Sequence, residues 1–377
     1  MGYETYRIAD LIDEIAMGPF GSNIKVSCFV DSGVPVLNGS NLEGFSLSEK
    51  TFRYVTREKA DSLNKANAHR GDIVITHRGT LGQIVFIPQD SKYDRYVISQ
   101  SQFRVRCNDK VLPEYLVYYF HTPIGQHKLL SNASQVGVPA LARPSSTFQQ
   151  IEVVLPELSI QKRVVEIIST IQKKIVNNQE LNDNLEQQAQ AIYHERFETV
   201  SPNEYMPVGE VCSSISDTYR EKKNMVTLIN TSDVLEGRVL NHERVPNSNL
   251  KGQFKKTFQR DDILYSEIRP QNRRFAYVDF SPIDYIASTK LMVIRAKKDV
   301  VSPKYLYYFL KNSSTVAELQ LLAETRSGTF PQITFSEVAN LTIPVPSLAV
   351  QEVIVQTMQC LEDKITCNEQ INDNLAA

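Results

Sequence analysis

The chain has no charge surplus of either sign: 41 lysine and arginine residues face 43 aspartate and glutamate residues, a net charge of -2. This balance excludes a polycation that coats nucleic acid through its overall field, so any such binding must come from local patches. Cysteine is scarce, with five widely spaced residues (Cys28, Cys107, Cys212, Cys360 and Cys367) and no C-x-x-C pair among them. That spacing speaks against zinc and redox frameworks. No stretch of about 18 apolar residues occurs, so no membrane span is expected. The opening MGYETYRIADLIDEIAMG lacks the basic and apolar regions of a secretory leader, and a cytoplasmic setting is expected.

Catalytic signatures are missing as well. There is no glycine-rich cofactor loop and no Asn/Asp-Pro-Pro-aromatic tetrapeptide of the kind that methylates base amino groups, so self-sufficient methylation is not expected. No G-x-x-x-x-G-K-[ST] loop is present to cradle a nucleotide for a motor. Glu221-Lys222-Lys223 has the Glu-x-Lys spacing of a metal-dependent nuclease, but no Pro-Asp lies upstream, and the segment reads as a solvated charged turn. His121 and His127, six apart, do not share a helix face, and no cysteine or carboxylate completes a metal set. Neither a catalytic nor a metal-binding residue is expected.

Self-similarity is what the sequence does contain. LPELSIQKRVVEIIS from Leu155 resembles VPSLAVQEVIVQTMQ from Val345, and the offset, 345 less 155, is 190 residues. The same offset aligns Asn182-Asp183-Asn184-Leu185 with Asn372-Asp373-Asn374-Leu375, Pro113-Glu114-Tyr115-Leu116 with Pro303-Lys304-Tyr305-Leu306, and GDIVIT at Gly71 with DDILYS at Asp261. Collinear matches at so long a period indicate a whole domain present twice, and 377 residues suit two such cores.

Each copy runs from short β-type segments to a long helix. Strands are expected over 72–76, 83–87 and 102–107, with counterparts over 262–266, 275–278 and 291–295; short helices are expected to start after Pro113 and Pro303. From Ser159 to Glu198 the apolar residues follow a heptad, a rod of about 60 Å. Val164, Ile171, Asn178, Leu185 and Ile192 fall at position a, and Ile168, Ile175, Asn182 and Ala189 at d. In the second copy Ile354, Leu361, Asn368 and Leu375 fall at a, and Met358, Ile365 and Asn372 at d. Antiparallel pairing about a pseudo-two-fold axis opposes a to d, so Asn178 should meet Asn372 and Asn182 should meet Asn368. Buried asparagine pairs weaken a seam but penalise shifted registers. The expected fold is therefore α+β: two tandem pseudo-repeated domains (1–154 and 201–344), separated by long helices (155–200 and a shorter 345–377) that pair as an antiparallel coiled coil.

These features together resemble the DNA specificity subunit of type I restriction-modification systems across essentially the whole chain. The resemblance rests on GPFGSNIK at Gly18, VPVLNGSNLEG at Val34, GDIVITHRGTLG at Gly71, DDILYSEIRPQNRRFAYV at Asp261 and the LPELSIQK-like boundaries, in that order and in duplicate. It implies two target-recognition domains, each reading one half of a split double-stranded DNA site, with the helices setting the unread spacer. It also implies partners: two methyltransferase subunits that use S-adenosylmethionine to modify adenine, and, where present, two ATP- and magnesium-dependent restriction subunits. This chain would bind none of those cofactors. The second helix departs from the family pattern, since it stops after NDNL-Ala376-Ala377 where the first copy continues EQQAQAIYHERF. Family members often extend it to close a circle with the N-terminal segment.

Base reading favours arginine, asparagine and glutamine on loops, with lysine and hydroxyl groups on phosphates. The candidates in the first domain are Ser22, Asn23 and Lys25; Asn38, Ser40 and Asn41; and His77, Arg78 and Thr80, beside a glycine that permits close approach. In the second they are Asn230, Thr231 and Ser232, and the dense basic patch of Arg269, Arg273 and Arg274. Lys255 and Lys256 are weaker phosphate candidates. Two other readings compete: an orphan or inactive DNA-binding regulator of the same fold, and a single-chain nuclease or methyltransferase with unrecognised motifs.

Overall fold

The computed structural model describes residues 2–134, 137–198, 205–221, 223–247, 252–326 and 329–376. The chain divides into two compact units, Met1–Lys174 and Ile175–Ala377.

The first unit is organised around a four-stranded antiparallel sheet of β1 (Ile12–Met17), β2 (Ile73–Thr76), β3 (Ile84–Phe86) and β4 (Gln102–Cys107), in the order β1-β4-β2-β3. Side chains alternate across a strand, and this sheet buries both faces. Ile73, Ile75, Ile84, Phe103 and Val105 turn toward helix α1 (Pro113–His121), where Leu116, Val117 and Phe120 cover them. Val74 and Val85 turn the other way, into a second core with Leu37, Leu42, Tyr96 and Ile98. There a five-stranded sheet packs, built from Phe29–Val30, Arg53–Val55, Val34–Val36, Arg95–Val97 and Asn67–His69 in that order. Pro113 opens α1 at a position where a missing N–H costs nothing.

The long helix α2 (Leu158–Glu198) follows, and the division between the units falls inside it. The second unit repeats the plan with β5 (Cys212–Ile215), β6 (Ile263–Ser266), β7 (Phe275–Tyr277) and β8 (Leu291–Ala296), ordered β5-β8-β6-β7. Ile263 and Tyr265 face helix α3 (Pro303–Lys311), while Leu264 faces a second core with Ile229, Ala276 and Val293. The companion sheet here has four strands rather than five. Helix α4 (Leu348–Ala376) closes the described chain.

The expected strands are all present, but three begin one residue later than the sequence suggests, two of them because Asp72 and Asp262 serve the turns that precede β2 and β6. Asp72 Oδ2 accepts the His69 amide at 3.0 Å, and Asp262 Oδ2 accepts the Gln259 amide at 2.8 Å. Each buried carboxylate also binds arginine from the neighbouring strand: Arg104 and Arg106 on Asp72, Arg295 in a two-pronged contact on Asp262. A second pair of equivalents anchors each long helix. Gln161 Oε1 accepts the Leu112 amide at 3.0 Å and its Nε2 donates to Pro156 O at 2.9 Å. Gln351 Oε1 accepts the Ser302 amide at 2.8 Å and its Nε2 donates to Pro346 O at 2.8 Å and Val300 O at 3.1 Å. Buried amides that satisfy carbonyls and amides of the preceding domain fix where the helix leaves it.

Candidate nucleic-acid interface

The antiparallel order gathers particular loops at one end of each sheet. In the first unit Met17 ends β1 opposite Phe103, Thr76 ends β2 opposite Gln102, and Ile84 starts β3 opposite Ile75. The segments 18–25, 77–83 and 99–101 therefore share one rim. Hydrogen bonds tie them together: Gly18 N to Gln102 O at 2.8 Å, His77 N to Ser101 O at 2.8 Å, and Gln83 Nε2 to Gly39 O at 3.0 Å, which draws in the Asn38 loop. Of the expected candidates, Asn23, Lys25, Asn38, Ser40, Arg78 and Thr80 are exposed on this rim. The Ser22 side chain lies outside the described residues, as does Lys222.

Two candidates have interior duties. Asn41 is 1% exposed; its Nδ2 donates to Ser48 O and Thr51 O, both at 3.0 Å, and its Oδ1 accepts the Asn38 amide at 2.9 Å. It shapes the loop rather than facing outward. His77 donates Nε2–H to Gln100 O at 3.1 Å, and burial pushes its pKa below the ordinary histidine value. The ring is thus neutral at pH 7 and Arg78 supplies the local positive charge. His121, weighed as a metal ligand in the sequence, spends its Nε2–H on Ile84 O at 2.9 Å.

The second unit builds the same rim, with Ile215, Ser266, Phe275 and Leu291 at the strand ends. Asn230 heads a loop of the same design as that of Asn38. Asn38 Oδ1 accepts the Ser40 amide at 2.9 Å; Asn230 Oδ1 accepts the Thr231 amide at 2.8 Å, and Asn230 N is held by Asp233 Oδ2 at 2.8 Å. Thr231 is half-buried and Ser232 exposed. The three expected guanidinium groups do not form one surface. Pro270–Asn272 makes a tight turn between left-handed residues Arg269 (φ 44) and Arg273 (φ 53), which sends successive side chains apart. Arg273 Nη2 donates to Ser313 Oγ at 2.7 Å, and Arg274 Nη1 donates to Ser232 O at 3.0 Å and Val234 O at 3.4 Å. Arg274 therefore plays the part that Gln83 plays in the first unit. Arg269 is the exposed member.

Arg78 and Arg269 stand in equivalent turns, one residue out of step: Arg269 matches Gly79, and Arg78 matches Ile268. A crossing segment bridges each turn: Gly79 N donates to Pro139 O at 2.9 Å and Arg269 N to Pro331 O at 3.1 Å, while Leu141 N and Ile333 N, each at 2.9 Å, return to His77 O and Glu267 O. Each unit thus presents one outward arginine on a doubly braced turn, next to an asparagine-capped loop. Lys256, in contrast, is held by the carbonyls of Thr289 (3.1 Å) and Leu291 (2.7 Å), and burial lowers its pKa; Lys255 is exposed. Sequence reasoning missed Gln83, Arg274, Gln161 and Gln351 as scaffold. The glutamine pair was visible in principle, since the two residues lie at the repeat offset.

Within the second unit, α4 lies against the part of α2 that follows Ile175. Asn178 Nδ2 donates to Asn372 Oδ1 at 2.8 Å, and Asn368 Nδ2 donates to Asn182 Oδ1 at 2.7 Å. Numbers rise along one helix as they fall along the other, so the pair is antiparallel. The remaining amide hydrogens reach backbone, Asn372 to Ile175 O at 3.3 Å and Asn182 to Ile365 O at 3.5 Å. Asn178 is 2% and Asn368 8% exposed. Tyr193, Ile354, Val355 and Met358 close the far end of the seam, with Ala189 and Ile192 at its margin.

The two like modules and the antiparallel helix pair define a duplicated α+β protein with a polar rim on each copy. Among the described residues no helix is long and apolar enough to cross a membrane, and no cluster of three or more metal-binding side chains occurs. The family model for the type I restriction modification DNA specificity domain matches residues 2–187 and 201–377, and the chain belongs to this family. The specificity subunit of type I restriction enzyme HindI from Haemophilus influenzae (strain ATCC 51907 / DSM 11121 / KW20 / Rd) is 43% identical over 150 residues, 40% of this chain. That match spans only 33% of the relative. The crystal structure of a type I restriction-modification system S subunit from M. genitalium has a TM-score of 0.63 at 12% identity, covering 100% of this chain and 93% of that one. A chain from a structure describing complex assembly and conformational transition of the type I R-M system gives 0.55 at 16% identity, covering 100% and 95%. At these identities the structural likeness is one of fold.

Proposed function

We propose that this protein is the sequence-recognition subunit of a type I restriction-modification complex. Each unit reads one half of a bipartite double-stranded DNA site, and the paired helices set the unread spacer between the halves. The observation that carries this reading is the duplicated rim: one exposed arginine on a braced turn, Arg78 or Arg269, beside an asparagine-capped loop headed by Asn38 or Asn230. Arginine and asparagine are the side chains that read guanine and adenine in the major groove. Asn23, Lys25, Ser40, Thr80, Thr231 and Ser232 serve as flanking contacts, with Arg273 and Arg274 holding the second rim in shape. The asparagine pairs Asn178–Asn372 and Asn182–Asn368 fix the helix register and with it the spacer.

In this reading the chain contributes no catalytic residue. Two methyltransferase subunits bring S-adenosylmethionine and modify adenine, and two restriction subunits, where present, bring ATP and magnesium. The test is long-read mapping of methylated adenine in the host genome with and without the gene. Loss of one bipartite motif with a fixed spacer is the expected result. An unchanged methylome would overturn the reading and favour a DNA-binding regulator of the same fold.

A further inference from the structure

Phe20 stands in the loop after β1 with 83% of its surface exposed, and no large apolar side chain among the described residues is more open. The loop is held firmly. Gly18 N donates to Gln102 O and Asn23 N donates to Phe20 O, both at 2.8 Å. A β-carbon at Gly18 would lie 1.9 Å from Ser99 O, and one at Gly21 would lie 2.2 Å from Gln100 Oε1. Gly18 therefore lets the loop lie directly on the backbone of the turn before β4, Gly21 leaves room for the Gln100 side chain, and the aromatic ring between them is kept off the core. Met17 and Val26 are exposed beside it, and the loop and the rim segments bonded to it also carry Asn23, Lys25, His77, Arg78 and Gln100. Residues 18–28 contain no acidic side chain that would repel phosphate.

We propose that Phe20 is a wedge that enters the base stack of the half-site read by the first unit, opening one base step and bending the duplex there. The proposal rests on the DNA-recognition reading above and deepens it. Apolar side chains pushed between base pairs unstack a step and kink DNA, and the cost depends on the sequence being deformed. Part of this half-site is then read through deformability rather than through base edges. The wedge is one-sided. In the second unit the segment after β5 carries Tyr219, whose hydroxyl is buried and whose amide is bound to Lys255 O at 2.8 Å.

The experiment uses the full chain assembled with its modification subunits, on DNA carrying the mapped bipartite site. 2-Aminopurine is placed at each step of either half in turn, with the target adenine left unsubstituted because methyltransferases displace it from the stack. End-to-end energy transfer reports bending. The wild-type complex is expected to brighten one step in the first unit's half only and to bring the DNA ends closer. Phe20→Ala should abolish both signals, weaken binding about tenfold and relax the methylated motif at the opened step, while thermal unfolding and association with the modification subunits stay unchanged. Phe20→Leu should keep part of both. Equal signals in the wild type and Phe20→Ala, or no unstacked step in the wild type, would overturn the wedge and leave the recognition reading standing. Loss of the modification subunits in Phe20→Ala would place Phe20 in a protein interface and also overturn it. Absence of any specific DNA binding by the wild-type complex would remove the recognition reading and the wedge together.

Discussion

The two units brace their recognition domains against the long helices at equivalent positions but with different chemistry. In the first, Tyr118 OH reaches Gln172 Oε1 on α2 at 3.4 Å, a long neutral hydrogen bond. In the second, Tyr308 OH donates to Glu362 Oε2 on α4 at 2.8 Å, and Lys311 pairs with the same carboxylate while standing over the rings of Tyr307 and Tyr308 at 5.2 Å and 5.0 Å. Arg238 adds an exposed pair with Glu369 at 2.8 Å. Charge-assisted hydrogen bonds are stronger and shorter than neutral ones, so α3 is held more tightly to its helix than α1. The repeat thus preserved the packing frame, with Asp72 matched by Asp262 and Gln161 by Gln351, and diverged at the tyrosine brace on each long helix.

The largest test of that frame is removal of the buried carboxylates. Asp262→Ala leaves Arg295 without its two-pronged partner and should cost about 3–5 kcal/mol, as should Asp72→Ala. Asp72 serves two arginines, so its loss should be the costlier; equal values in urea titrations would show that Glu14, which also pairs with Arg104 and Arg106, compensates. Gln161→Ala and Gln351→Ala come next, at about 1–3 kcal/mol each, because buried amides and carbonyls lose their partners. Unequal losses would break the equivalence of the two anchors. In the seam, Asn178→Leu alone strands Asn372 and should cost about 1–2 kcal/mol by thermal unfolding, while adding Asn372→Leu should recover much of it.

Glu362→Gln gives the second brace the first one's chemistry and should cost about 1 kcal/mol, seen as faster amide exchange across Pro303–Lys311. The converse pair, Gln172→Glu with His121→Lys, should slow exchange across Pro113–His121; no change would mean that Ile84 O, freed of His121, offsets the new contact. The smallest effect is a pH dependence confined to the first unit. Burial holds the His77 pKa below its unfolded value, so the unfolded chain takes up the proton first as pH falls. Stability should therefore decline from about pH 6.5 downward until the folded ring is also protonated. His77→Gln should flatten that slope, as thermal unfolding at successive pH values would read.

Much of the scaffold was legible because it is written in short periods. Ile73 and Ile75 face one core and Val74 the other, which is the alternation the strand reading uses. The asparagines that the heptad opposes are the ones that hydrogen-bond. The rims were less legible. Asn41 and Asn38 have the same chemistry three residues apart, yet one is buried and the other exposed. Arg269 and Arg274 read as one basic patch until the turn at Pro270 separates them.

The amino-acid sequence by itself determined the duplication, three of the four strands of each central sheet with the helix that follows them, and the asparagine register of the paired helices. All three follow from self-similarity and from repeats of two or seven residues, which a chain carries locally. Only the tertiary structure decided which polar side chains are spent inside the protein and which are free to face a ligand. Gln83 finds Gly39 across 44 residues and Arg274 finds Ser232 across 42. No local period encodes such partners; they exist only once the sheet has brought its loops to a common rim, where the carbonyls of Gly39 and Ser232 come within reach of the two side chains.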